Sequence, residues 1–220
     1  LGPMEVNRIV ATLPKGTGPV KARLDDKELP IDSQVLLQPF PERPIFTDIR
    51  MADGPLKDRI NKALLSTRLC QPNPKKAQLI FTDNEANTEG ETAWVVQCVS
   101  DKEASAFTGP YILDRSHPLT NGLGLQGVIW GAGKETRFDG TPVIMAGDIP
   151  LVTDLAVGSE TTRHVLHLRL RPDLTTLQDS PDWPILIWNL VSWRSSQLEG
   201  LARGNLRLGD QVNFALEQPG

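Results

Sequence analysis

Apolar residues run almost unbroken from Trp183 to Trp193, in Asp182-Trp183-Pro184-Ile185-Leu186-Ile187-Trp188-Asn189-Leu190-Val191-Ser192-Trp193. Only Asn189 and Ser192 interrupt the run. A helix that is apolar on nearly every side is a buried one. The pattern therefore predicts a buried helix with Trp183, Ile187, Trp188, Leu190, Val191 and Trp193 as structural core. Burial of each such side chain contributes on the order of 1.5–3 kcal/mol. Ser180 or Asp182 can cap the first turn, and Pro181 or Pro184 fits there because the first amides lack intrahelical partners. The run is too short for a bilayer, which needs about 20 apolar residues.

The remaining pattern is mostly short strands. Residues 6–13, 20–24 and 33–38 read as strands separated by polar and glycine-rich turns, too few for a complete immunoglobulin-like sandwich. Pro39-Phe40-Pro41-Glu42-Arg43-Pro44 reads as a stiff linker. Residues 45–51 form a further expected strand. Asp53-Gly54-Pro55 then signals a helix start, and Leu56, Ile60, Ala63 and Leu64 place one apolar stripe along that helix. Residues 78–82 and 93–99 are continuous apolar runs, the pattern of strands buried on both faces. An acidic loop, 83–91, separates them, and residues 101–106 are expected to add a helical turn. Gly147-Asp148 sits between two apolar runs, 142–146 and 149–152, as a two-residue hairpin turn. Residues 164–170 and 211–216 alternate as strands. Strands around two helices imply an α/β class, with a sheet parallel in its first half and antiparallel later.

The domain reading follows: 1–3 a tag remnant before Met4, 4–42 a β-rich segment, 43–200 an α/β domain, and 201–220 the start of a following β segment, as in a fragment of a longer protein. With 220 residues the chain can hold one good core. A net charge of −4 argues against nucleic acid as a main partner, since phosphate binding needs a basic face. No basic amphipathic helix points to direct membrane contact. Cys70 and Cys98 have neither metal nor redox spacing; two unpaired, at least partly buried thiols are expected over a disulfide.

Candidate chemistry is sparse. Gly122-Leu123-Gly124-Leu125-Gln126-Gly127 matches G-x-G-x-x-G, but the dinucleotide fingerprint needs a strand before it and a helix after it, and neither is predicted here. Cys98, Cys70 and Ser159 all lack the paired glycines of a nucleophile elbow. His164 and His167 are three apart on an expected strand and face opposite sides, so they cannot chelate one ion. His117, before Pro118, reads as a loop hydrogen-bonding group. Asp83, Glu85, Glu89 and Glu91 lack the glycine and terminal glutamate of a calcium loop. Asp114-Arg115-Ser116-His117-Pro118 begins like a D-x-S-x-S metal motif and breaks at its last serine. No cofactor and no metal site is called for.

Several stretches together resemble a known family. His117-Pro118-Leu119-Thr120-Asn121-Gly122-Leu123, Ile149-Pro150-Leu151-Val152, the strand at 164–170, and the Asp182-Trp183-Pro184…Trp188-Asn189-Leu190 helix are similar to the extracytoplasmic part of BatA-type bacterial membrane proteins. The likeness covers roughly 45–200. It implies a flavodoxin-like α/β domain, similar to class I glutamine amidotransferases, that has lost its catalytic residues. It further implies an extracytoplasmic, periplasmic location in a membrane-anchored parent, with other proteins or domains of that parent as partners. No amidotransferase Cys-His-Glu set can be placed. The expected function is a non-catalytic scaffold or partner-binding domain. Two alternatives stay open: a divergent amidotransferase-like hydrolase using Cys98 with His117, and a small-ligand binder using the loops 83–91, 114–127 and 172–182.

Overall fold

In a computed structural model, the structure describes residues 10, 12, 14, 17–23, 34–37, 44–84, 92–101, 103–158, 163–198, 200–201 and 214–215. The chain divides into two compact units. One is Arg43–Leu198, and the other combines Leu1–Glu42 with Glu199–Gly220. In the second of these, β1 (Val20–Arg23) pairs antiparallel with β2 (Gln34–Leu37). Apart from Val10 and Thr12, the expected strand at 6–13 lies outside the described residues, as does most of the one at 211–216.

Arg43–Leu198 carries the large sheet. Its strands are β3 (Ile45–Arg50), β4 (Cys70–Pro72), β5 (Leu79–Thr82), β6 (Trp94–Val99), β7 (Ala104–Thr108), β8 (Tyr111–Leu113), β9 (Ile129–Gly133), β10 (Thr141–Ala146), β11 (Ile149–Val157) and β12 (Arg163–Arg169). Two helices accompany them, α1 (Pro55–Ser66) and α2 (Asp182–Ser196). Eight strands form one mixed sheet in the order β4-β3-β5-β6-β12-β11-β10-β8. The pairs from β4 to β12 are parallel, and those from β12 to β8 are antiparallel. β7 and β9 form a separate antiparallel pair. Numbered by their own sequence, the five parallel strands run 2-1-3-4-5 across the sheet.

The sheet is buried where the sequence is continuously apolar. Leu79, Phe81, Trp94, Val96 and Cys98 point into the cluster that also holds Ile60 and Leu64 of α1 and Leu186, Ile187, Leu190 and Val191 of α2. The intervening Ile80 and Val95 join Ala93 on the other face, as the two-residue period of a strand requires. The β10–β11 hairpin turns at Gly147-Asp148, with Ala146 opposite Ile149. Gly147 has φ +60°, and a glycine at the first central position is what a tight hairpin turn of this kind demands.

Three local expectations are corrected. Residues 104–108 form strand β7 rather than a helical turn, because Ser105, Ala106 and Phe107 pair with β9. Neither Ser180 nor Asp182 caps α2: its N-cap is Pro181, without a side-chain hydrogen bond. Trp188, read as core, is 49% exposed. α2 lies on one face of a sheet, so Trp183, Leu186, Ile187, Leu190 and Val191 take the inward stripe and Trp188 falls on the outer one. Trp193 is half-buried, packed against the edge of the core.

Candidate functional site

A cluster of two histidines and one aspartate forms near the end of α2. His164, on β12, directs Nδ1 at both Asp154 oxygens, 2.9 Å away. Asp154 is on the neighbouring β11, diagonal to His164 across the ladder. From the loop after β8, His117 places Nε2 3.3 Å from the second Asp154 oxygen. All three side chains are 12–15% exposed. The tautomer of His117 follows from its neighbours. Nδ1 accepts the Leu119 N–H at 3.2 Å, so the proton sits on Nε2 and is donated to Asp154. That Leu119 amide belongs to the short 3₁₀ turn Pro118–Thr120, for which His117 is the N-cap.

Indoles close the cluster. Trp193 lies edge-on to His117 and His164, with ring centroids 4.8 and 4.4 Å away, and 4.5 Å from Trp94. Trp94 covers His164 at 4.3 Å and carries the Arg194 guanidinium 5.2 Å from its ring. Burial pushes the Asp154 carboxyl up, but the hydrogen bonds from His117 and His164 outweigh it and hold the group below the ordinary carboxylate range. Among the described residues, no hydroxyl or thiol bonds either imidazole of this cluster, and no group of three His, Cys, Asp or Glu is placed to hold a metal ion. The arrangement clamps a loop, two strands and the end of α2 to one carboxylate.

Its position matters as much as its composition. Trp94 opens β6 and His164 lies near the start of β12, so the cluster sits at the N-terminal ends of the parallel strands. Ligands of open α/β sheets sit at the opposite end. Cys98 is near that opposite end, four residues and roughly 13 Å along β6 from Trp94. The Cys98–His117 pair is therefore not assembled, because His117 packs at the Trp94 end. Cys98 is wholly enclosed, and burial, with the Asp83 charge adding to it, pushes its thiol up to about 12. Cys70 and Cys98 are both buried free thiols.

The glycine-rich loop is occupied by the chain itself. Gly124 N–H and Leu125 N–H donate to the two Asp182 carboxylate oxygens at 2.9 and 3.0 Å. The amides that a dinucleotide site would turn toward phosphate are thus spent on the first residue of α2. Just past the ends of β3 and β5, Ala52 N–H donates to Asp83 at 3.1 Å and Lys57 bonds Met51 O and Asp53. Residues 85–91 of the acidic loop lie outside the described residues. His167 faces away from His164, with Nδ1 3.1 Å from the Thr153 hydroxyl.

A second charged cluster was not legible in the sequence. Arg169 is fully buried and meets Asp101, the Glu135 carboxylate and the Glu135 and Pro150 carbonyls, with the Phe138 ring 4.9 Å away. Gly133 makes room for it: a Cβ there would collide with the Glu135 carboxylate and come 2.7 Å from the guanidinium. The Arg169 carbonyl accepts the Trp130 indole N–H at 2.7 Å. Every donor of this buried cation finds a partner, which is the condition for carrying it in a core.

The chain matches no family model, no curated protein and no solved structure.

Proposed function

We propose that Arg43–Leu198 is a non-catalytic, extracytoplasmic scaffold or partner-binding domain of a larger, membrane-anchored BatA-type protein, with a flavodoxin-like, amidotransferase-like fold. The 2-1-3-4-5 order of the parallel strands supports the flavodoxin-like reading. The observation that carries the functional reading is Cys98. An amidotransferase-like hydrolase needs a thiolate open to substrate beside a histidine. Cys98 is instead sealed in the core with its thiol pushed up to about 12, and His117 is committed to Asp154 and Leu119 at the other end of the sheet.

The test is enzymatic. The 220-residue chain is incubated with a γ-glutamyl anilide and with an activated phenyl ester, alongside Cys98→Ala. No turnover above the variant is expected, and iodoacetamide should label Cys98 only after unfolding. Turnover that disappears in Cys98→Ala would overturn the reading.

A further inference from the structure

We propose that the free edge of the large sheet at β8 binds an extended, acidic peptide segment by strand addition, with Arg115 taking the carboxylate. This deepens the partner-binding reading above and rests on it. β8 is the last strand of the eight and, among the described residues, pairs with β10 alone. Ile112 stands opposite Met145, and Asp114 N–H donates to Val143 O at 3.0 Å. In an antiparallel ladder alternate residues turn their N–H and C=O to the partner strand. Ile112 and Asp114 therefore face β10, while the N–H and C=O of Tyr111 and Leu113 point away from the sheet.

A groove of about 480 Å³ adjoins this strand, lined by Tyr111 and Leu113 on one side and by the turn at 124–129 on the other. That volume lies within the roughly 300–1,000 Å³ range of ligand sites. The second wall is tied down by hydrogen bonds. The Gly124 and Leu125 amides are pinned to Asp182, and the Tyr111 hydroxyl lies 2.9 Å from the Val128 carbonyl and 2.8 Å from that of Phe107. Such preorganisation lowers the ordering cost of binding.

Charge selects the occupant. Arg115 is the charged side chain of the lining, which contains no carboxylate. It is exposed, and one of its terminal nitrogens, Nη1, is anchored on the Leu123 and Thr120 carbonyls at 2.9 and 3.4 Å. Nε and Nη2 have no partner among the described residues, and this is the guanidinium edge that takes a carboxylate through two parallel hydrogen bonds. The neighbouring Asp114 does not answer it, since its carboxylate accepts from the Ser116 N–H and hydroxyl at 2.9 and 2.6 Å. An edge offering main-chain donors and acceptors beside one oriented cation fits a strand with an Asp, a Glu or a terminal carboxylate at one fixed place. Main-chain bonds then supply the affinity and the ion pair fixes the register.

The experiment uses a displayed library of random eight-residue peptides, selected on the 220-residue chain. Enrichment of an acidic residue at one position is expected. In ¹⁵N spectra, the enriched peptide should shift the amides of Tyr111 and Leu113. Arg115→Gln and the Glu-to-Gln peptide should each weaken binding about tenfold or more, without adding in the double change. Methylating peptide amides that face β8 should abolish binding, whereas methylating alternate ones should not, which keeps the test independent of any variant's folding. No enrichment, binding that leaves the 111 and 113 amides unmoved, or equal binding to Arg115→Gln would overturn the proposal. None of these bears on Cys98, whose turnover assay decides the non-catalytic reading separately.

Discussion

Three side chains of α2 show how a residue's role depends on where the helix turns it. Trp183 and Trp188 are both indoles in the same apolar run, yet one is buried and the other half-exposed. Trp183→Ala removes core volume and should cost about 3–5 kcal/mol. Trp188→Ala should cost about 1 kcal/mol or less, because outer positions away from special contacts tolerate substitution. Urea denaturation of the two variants checks the order, and equal losses would mean that Trp188 is covered in solution. Asp182 is the third case. Its carboxylate is the acceptor for two amides, and Asp182→Ala leaves both unpaired beneath the helix start. A loss of about 1–3 kcal/mol is expected. Faster hydrogen exchange confined to Gly124 and Leu125 would distinguish this from general loosening.

Among the elements, α2 and the parallel strands meet over an imperfect seam. Phe81, Val96, Leu166, Leu186 and Leu190 surround an apolar void of about 20 Å³. Val96→Ile adds one methylene toward it and should stabilise the chain by about 0.5–1 kcal/mol, near the value of a buried CH₂. A loss of more than about 1 kcal/mol, measured by urea unfolding, would mean that the seam is already full. The strands on that seam were legible because they are continuous apolar runs, as were the α1 stripe and the Gly147-Asp148 hairpin. β4 and β8 were not, since three residues carry no period to read. Trp188 was misassigned for a related reason: a helix apolar all round gives no sign of which stripe faces the sheet. The histidine cluster was hidden more deeply. His117, Asp154 and His164 converge only through the register of β11 on β12 and the return of the 114–120 loop, and no local pattern fixes either.

At the scale of the whole molecule, the partly buried Asp154 and the enclosed Cys98 shape stability at opposite ends of the pH range. Asp154 has a folded value below its unfolded one, so its contribution is complete above the unfolded carboxylate value of roughly 4. It is lost as pH falls through the lower folded value. Cys98 is the reverse: its thiol is raised to about 12 in the folded chain, against roughly 8.5 when unfolded. Below the unfolded value its contribution is complete, and it declines as pH rises from there toward 12, because only the unfolded chain gives up the proton. The urea midpoint should therefore fall on both sides of a neutral plateau. Asp154→Asn should lower the plateau and flatten the acid limb, since the amide cannot lose the interaction by protonation. Cys98→Ala should leave the acid limb unchanged and soften the alkaline one, the remainder of which belongs to Cys70 and Tyr111, both also raised by burial. Asp154 and Cys98 belong to opposite ends of β6 and its neighbours, so the effects should add in the double variant. If Cys98→Ala kept the full alkaline decline, the thiol would be ionising in the folded state. An ionised thiol there would reopen the enzymatic reading that its burial now opposes.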